Sequence, residues 1–556
     1  MTRLTARTDR ALIGFVVVVS AIAVLALAPA AEAATFDVND SVDLAASGDV
    51  ANGVCQSTGG AGNCTLRAAV QEANGTLGPD TIAIPAGSYR LTLTEINPGD
   101  DDGGAVDDLD LNTQITMNGA GVGSTTVYSQ VPEGVGYSRV FETGPDSLTT
   151  ITGLTVAGGP TTQGGILMKG TSLALSQMAI TGHGSGSGIF VEPAPVPGGR
   201  LLTIDRSTIA DNASTGSGGG ISAASATTIT ISNSTISGNR ANVFGGGISL
   251  VGSDANIVNT TLSGNTAGTA VAGGEGGGLY VEGLTGGPRN TVAFANSTIF
   301  GNTATHVGGG NLANDPGLNR STTTIKDTIL AGGTLGSGAL AGTANCSGVI
   351  TSLGYNLDDS DGCGFQPGTT DRYNAVAALD LLADNGGPTK THALLPTSYA
   401  IDSASPDCGG LSADQRGTAR PLGPRCDIGA VESPARPTSP TVDPPVTPPT
   451  VNPPGGGGGG KNGKGKDKKP PETGIIKGAP RISIRHRPTF KFASSEANST
   501  FECKIDHGPW KRCKSPDKVK VGKGKHVFRV RATDKAGNTD PTPALDRFKV
   551  VVRDGA

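Results

Sequence analysis

Three kinds of side chain in this sequence stand where they could do chemistry. His183 sits alone between Gly182 and Gly184, a setting open to acid–base work. Asp100, Asp101 and Asp102, followed by Asp107, Asp108 and Asp110, gather hard oxygen donors in one short stretch, and Asp358-Asp-Ser-Asp361 makes a second acidic loop. Eight cysteines fall into four sequence-local couples: Cys55 with Cys64, Cys346 with Cys363, Cys408 with Cys426, and Cys503 with Cys513. Each type sets its own requirement. Cleavage of a glycosidic bond takes two opposed carboxyl groups, and none accompany His183 in sequence, so it is expected to be a solvated turn residue. Calcium takes six to eight oxygens, which makes the first acidic loop a candidate structural calcium site, although its spacing is not that of an EF-hand and a solvated turn is the other reading. No CxxC occurs and no His lies at zinc spacing from a Cys, so the cysteines are expected as disulfides. Locality selects Cys55–Cys64, Cys346–Cys363, Cys408–Cys426 and Cys503–Cys513 from the many possible pairings. No Ser-His-Asp, Walker or dinucleotide fingerprint occurs in a supporting context, so no catalytic and no cofactor-binding residues are assigned.

The elements that would position these groups are repetitive. Asn233-Ser-Thr-Ile-Ser-Gly-Asn239 recurs as Asn259-Thr-Thr-Leu-Ser-Gly-Asn265 and Asn296-Ser-Thr-Ile-Phe-Gly-Asn302, with a looser copy at Arg206–Asn212. Between the copies lie Gly218-Gly-Gly-Ile221, Gly245-Gly-Gly-Ile248, Gly276-Gly-Gly-Leu279 and Gly308-Gly-Gly-Asn311. A fixed period of this length means stacked structural units. Long amphipathic helical runs are missing, whereas short alternations such as Thr227-Ile-Thr-Ile-Ser232 put aliphatic residues on one face. One coil per repeat then gives a parallel β-helix with Ile stacked on Ile, Asn and Gly taking the corners. The N-x-S/T strings belong to this pattern rather than to glycosylation. The solenoid is placed at 112–335.

An open coil end exposes strand edges and needs a cover. Leu66, Ala69, Val70 and Ala73 fall on one helical face, stopped by Asn74-Gly75, with the Cys55–Cys64 bridge expected to pin the helix start. Residues 34–111 are therefore expected to cap the start of the solenoid, and 336–433 to form its far end. Ahead of them, Arg3, Arg7 and Arg10 precede an apolar run and Ala31-Glu-Ala33, an export signal over 1–33. Residues 434–474, with prolines, Gly455–Gly460 and a lysine cluster, read as a linker. A separate module follows at 475–556, with short strands expected at 489–492, 501–505, 526–532 and 547–552 in a small β-sandwich.

Composition and charge agree with this division. Gly (86 of 556) and a 4% aromatic content leave no material for an aromatic-lined cofactor pocket, and the glycines do not recur at the collagen period. Residues 34–454 carry 16 Lys and Arg against 36 Asp and Glu, a net of −20, while 455–556 carry 24 against 10, a net of +14. An acidic rod with a basic end could dock on anionic wall polymer or lipid head groups. A solubilising face is the other reading.

Several segments resemble known bacterial families. Cys64-Thr-Leu-Arg-Ala-Ala-Val resembles the CSLREA domain, with Thr65 for Ser and Ala68 for Glu. Asn385–Pro396, Ala400-Ile-Asp402, Asp414-Gln-Arg-Gly417 and Cys426-Asp-Ile-Gly-Ala430 resemble the choice-of-anchor Q region that follows right-handed β-helices on surface proteins. The central copies resemble polymorphic outer-membrane repeats, and the last module looks like a bacterial Ig-like domain with its turn at Ala532–Asn538. The resemblance implies a right-handed parallel β-helix on a secreted, cell-surface protein of structural or adhesive function. Its partners would be wall glycans or surface proteins; nucleic acid and a membrane span are not expected. The β-helix also hosts pectin-lyase-like enzymes, and Gly182-His-Gly184 matches one polygalacturonase motif. The companion Asn-Thr-Asp, Asp-Asp and Arg-Ile-Lys motifs are missing from their places, so a carbohydrate-active enzyme is the alternative. Pro470-Pro-Glu-Thr-Gly474 is similar to a sortase signal but has Pro where Leu belongs, and is read as linker.

Overall fold

The computed structural model describes residues 33–434 and 470–550, apart from 77, 94–105, 130–138, 160–163, 195–198, 270–272, 285–288, 306–307, 316–319, 337–341, 344, 367–368, 472, 478–481, 484–486, 495, 497–498, 507 and 542. The export signal and nearly all of the linker read from the sequence lie outside these residues, as do Asp100, Asp101 and Asp102. The chain divides into two compact units, Met1–Ser439 and Pro440–Ala556.

The first unit is a parallel β-helix. Its strands stack into sheets of eleven, ten and nine members, with a short six-stranded sheet at one corner. The same sheets take in strands on both sides of the 112–335 stretch, from Thr35–Asp37 to Leu357–Asp358. Alternation keeps one face of each strand inward, and register aligns those residues from coil to coil. Met117, Ile151, Leu175, Ile204, Ile231, Ile257, Phe294 and Ile325 form one such column. All are buried. Truncating one to Ala would cost about 2–5 kcal/mol, because the coils above and below hold the space open.

Most positions of the repeated heptad have a task. Asn233, Asn259 and Asn296 turn the chain at φ 49°, 46° and 46°, in the left-handed region that Asn tolerates. Ser207 accepts the Met178 N–H at 3.1 Å, and Ser234 accepts the Ser207 N–H at the same distance. Ile236 and Leu262 enter the core. The closing asparagine is buried and builds a ladder. Asn212 donates its main-chain N–H and its Nδ2 to Asn239 Oδ1 at 3.1 and 3.0 Å, and Asn239 repeats this to Asn265. Nδ2 of each also donates to a carbonyl of the preceding coil, as Asn239 does to Ile209. An unmet buried amide costs about 1–3 kcal/mol, so a complete ladder fixes coil register.

The glycine triads are the other half of that ladder. Gly218, Gly245 and Gly276 take φ of 69°, 63° and 64°. A Cβ on Gly246 would lie 2.4 Å from the Thr266 main chain, and one on Gly220 would lie 3.0 Å from the Asn239 amide. The third glycine therefore makes room for the asparagine. In the last copy the alignment shifts by one residue: Leu279 pairs with Leu312, so Gly309-Gly310-Asn311 is the triad rather than 308–310.

The helix Leu66–Gly75 closes the starting end. Thr65 caps it, accepting the Ala68 N–H at 3.2 Å, and Leu66, Ala69, Val70 and Ala73 are buried on the coil core. The disulfide Cys55–Cys64, with Cα atoms 5.3 Å apart, ends two residues before the helix; Cys64 is buried and the half-buried Cys55 packs against the same core. At the far end the disulfide Cys346–Cys363 and Phe365 join that core. Cys408–Cys426 belongs to a second, smaller core with Ile401 and Ile428, and Cys503–Cys513 lies in the second unit. All four sequence-local pairings are therefore those of the structure, and no described cysteine is free.

The second unit pairs a three-stranded with a five-stranded sheet. Phe490 and Phe492 of one meet Phe528 of the other, the Phe490 and Phe528 rings stacking at 3.9 Å. The strands at Thr489–Ser494, Thr500–Ile505, Gly524–Thr533 and Ala544–Val550 lie where the sequence pattern put them.

Candidate functional site

The segment from about 375 to 432 does not extend the stack. It runs back over the outer face of the ten-stranded sheet as a strap. Ala383 and Thr391 pair across a hairpin whose tip reaches Asn233, four coils before the last. There Thr389 Oγ1 donates to the Asn233 carbonyl at 3.0 Å and Thr235 Oγ1 donates to the Lys390 carbonyl at 2.5 Å. Ser263 Oγ meets His392 Nε2 at 2.8 Å. A second pass brings Gln415 to the same coils. Its Nε2 donates to the Ser234 carbonyl and Thr235 Oγ1, both at 3.0 Å, and its Oε1 accepts from Thr261 Oγ1 at 2.7 Å. Ala430 N–H reaches Thr298 Oγ1 at 3.0 Å. The outward threonines of the heptad thus change state along the rod: Thr208 is half-buried, whereas Thr235, Thr261 and Thr298 are buried beneath the strap.

A covalent bond and an ion network lock the strap. Cys408 and Cys426, both buried, join its two passes. Arg420 and Glu432 have fully buried side chains and meet at 2.6 Å. Arg420 Nη2 also donates to the Gly429 carbonyl at 2.6 Å and to Asn259 Oδ1 at 3.3 Å. Asp414 holds Arg416 at 2.6 Å and accepts the Glu432 N–H at 2.9 Å. Asp427 accepts the N–H groups of Asp402 and Ser433 at 2.7 and 2.6 Å. Burial, with Glu432 nearby, pushes its pKa up to about 7. These buried groups hold one another and the coil beneath, so the network fastens the strap.

His183 is corrected by the structure. It is fully buried, not solvated. Its N–H donates to Asn212 Oδ1 at 3.2 Å, which makes it the top of the asparagine ladder. Glycines at 158 and 165 leave space for the ring: a Cβ there would lie 2.4 and 2.9 Å from it. Burial pushes its pKa down to about 4.

The described part of the first acidic loop faces arginine. Arg67 is fully buried and pairs with Asp43 at 2.7 Å. It also donates to the main-chain carbonyls of Asp107 and Asp108 at 2.8 and 3.1 Å. The Asp110 carbonyl accepts from Asn74 Nδ2 at 2.7 Å. In the second loop Asp358 accepts from the N–H groups of Ser360 and Cys363 at 2.9 and 3.0 Å and from Asn345, closing the ladder. Among the described residues, the metal-like group Cys503, Cys513 and Asp517 has its sulfurs joined as a disulfide.

One outward acidic patch escaped the sequence reading. Tyr280 lies on the nine-stranded sheet in a column with Ser222, Ser249 and Ala313. Its hydroxyl is 3.4 Å from Glu282 Oε2 and 3.5 Å from Asp315 Oδ2, and its ring stacks on Phe244 at 4.4 Å. Burial, then Glu282, Asp315 and Glu275, push the phenol pKa up, so it stays a protonated donor between the carboxylates. Its sequence signal was slight: a lone aromatic where other coils carry Ser or Ala.

Over residues 140–373 the chain matches the family described as right handed beta helix region. No curated protein matches it. The fold is a right-handed parallel β-helix, and among the described residues its only α-helix is the one that caps its start. The four disulfides fit an extracellular protein, and no helix among the described residues is long and apolar enough to cross a membrane.

Proposed function

We propose that the chain is an exported surface protein in which the β-helix acts as a structural or adhesive rod rather than as an enzyme. The observation that carries this reading is the strap. The outer face of the ten-stranded sheet is occupied over several coils by the chain's own residues, through Thr235, Thr261 and Thr298. Such a surface is built for rigidity. The segments that resemble CSLREA and choice-of-anchor Q fit the same reading: Arg67 ties the capping helix to the first coils, and Gln415 and Arg420 fasten the strap. The second unit, which looks Ig-like, would attach the rod through its basic charge.

The experiment is binding of the secreted, full-length protein to arrays of glycans and bacterial wall material. Retention by at least one wall polymer is expected, and none on any surface would overturn the reading. A carbohydrate-active enzyme is the alternative favoured by the Glu282 and Asp315 pair about Tyr280. It predicts turnover of a pectic or uronic polymer that disappears in Glu282→Gln. The rod reading predicts no turnover.

A further inference from the structure

The five-stranded sheet of the second unit has one buried and one open face. Cys503, Phe528, Val530 and Ala532 point into the core. Alternation therefore sends Glu502 and Lys504, and Arg529 and Arg531, to the other side, where register places Glu502 opposite Arg531 and Lys504 opposite Arg529. Arg512 pairs in register with Glu502 on the next strand, and Lys525 continues the row on the longest one. These residues give the open face five cations against one carboxylate.

Trp510, from the hairpin that joins two of these strands, sits on that face. Lys504 Nζ lies 4.8 Å and the Arg531 guanidinium 4.4 Å from its ring centroid. The face already grips one carboxylate. Arg531 donates through Nε and Nη2 to Glu502 Oε2 at 3.0 and 2.8 Å. Same-side residues recur about every 7 Å along a strand and about 5 Å across strands, a spacing on which successive charged sugars can each meet a cation.

We propose that this face is a docking surface for an acidic polysaccharide whose charges are uronate carboxylates, with Lys504, Arg512, Lys525, Arg529 and Arg531 as its contacts. This rests on the surface-rod reading above and names the partner of its attachment module. The fit is one of charge and repeat: a polyuronate offers the same anion that Glu502 presents, many times over along a strand.

The test uses the full-length protein with alginate as the probe, read by co-sedimentation at rising salt. Binding at low salt that weakens steadily as salt screens it is expected. Charge reversal on the face, Lys504→Glu with Arg512→Glu, should weaken binding at least tenfold. The same change at Lys518 and Lys520, exposed and outside this sheet, should alter it less than threefold. Lys504→Gln with Arg512→Gln provides a milder pair should the reversal fail to fold, as judged by near-ultraviolet circular dichroism. Equal loss in both pairs, or binding to polyphosphate or anionic vesicles without alginate, would overturn the proposal. Retention by a neutral wall glycan without alginate binding would sink this surface and leave the rod reading standing.

Discussion

Asn311 and Gly333 have exchanged the roles that their counterparts hold in the preceding coil. There the pair is Gly278 and Asn302; the register sets Gly278 beside Asn311, and Asn302 one coil before Gly333. Where the ladder position has lost its side chain, the amide arrives from the triad instead. Asn302 Nδ2 donates to Asn311 Oδ1 at 2.8 Å, and Asn311 Nδ2 to Asn345 Oδ1 at 2.8 Å. The ladder passes through the exchange unbroken.

Coupling of these two positions is directly measurable. Asn311→Gly leaves the Asn302 and Asn345 amides short of a partner and should cost about 1–3 kcal/mol. Adding Gly333→Asn should recover at least half of the loss, because it restores the arrangement of the earlier coils. Thermal unfolding of both single variants and the double would decide it: additive losses would refute the exchange.

Gln415 is the central pin of the strap. Gln415→Ala should lower stability by about 1–3 kcal/mol by stranding the hydroxyl of Thr261 and removing the donor to the Ser234 carbonyl. It should also speed proteolysis between 375 and 432 without exposing the coils. Limited proteolysis with mass mapping reads this, and cleavage rates equal to the parent protein would contradict the pinning.

Asp427 makes the strap sensitive to pH. Its folded pKa is raised to about 7 by burial, so the folded state keeps a proton that the unfolded chain has already released. Its contribution is complete below about pH 4 and is lost as pH rises to about 7, by up to about 4 kcal/mol. Asp427→Asn should therefore flatten the fall in stability across that window. Denaturant unfolding of both proteins at pH 5 and pH 8 tests it, and a parallel pH slope would count against it.

His183 runs the other way. Its folded pKa is lowered to about 4, so the unfolded chain takes up a proton first. Stability from this group is full above about pH 6.5 and lost towards pH 4, by up to about 3 kcal/mol. His183→Asn, which places an amide on the coil above Asn212, should remove this acid loss while keeping the ladder. Melting temperatures at pH 4.5 and 7 report the difference, and an unchanged acid loss would show that the ring titrates elsewhere.

The heptads spelled out the coils because each position recurs in the same environment: an Ile that faces inward in one copy does so in all. The disulfides were legible for a different reason, since Cys55 and Cys64, or Cys408 and Cys426, are near neighbours in the chain and need no knowledge of the coils to be paired. His183 misled because one ring has no period to read, and only the stacked coils show that Gly158 and Gly165 make room for it. The strap was hidden for a related reason. Gln415 finds Ser234 across 181 residues, and Arg420 finds Glu432 through a loop with no regular spacing. The quoted strings around these residues marked the segment, but their spacing carried no hint that it folds back. Tyr280 gave no signal because Glu282 and Asp315 are far apart in the sequence and only the stacked coils bring them together.

The returning strap also decides where a pull on the chain would be met. A pull on the chain beyond residue 434 first meets Ser433 and Glu432, which are bonded to Asp427 and Arg420, and through these it reaches the carbonyl of Asp327, the hydroxyl of Thr298 and the amide of Asn259. Force entering there is therefore met partway along the solenoid and by several bonds at once. The terminal coil, whose strand edge would open one bond at a time if tugged directly, lies outside the line of tension.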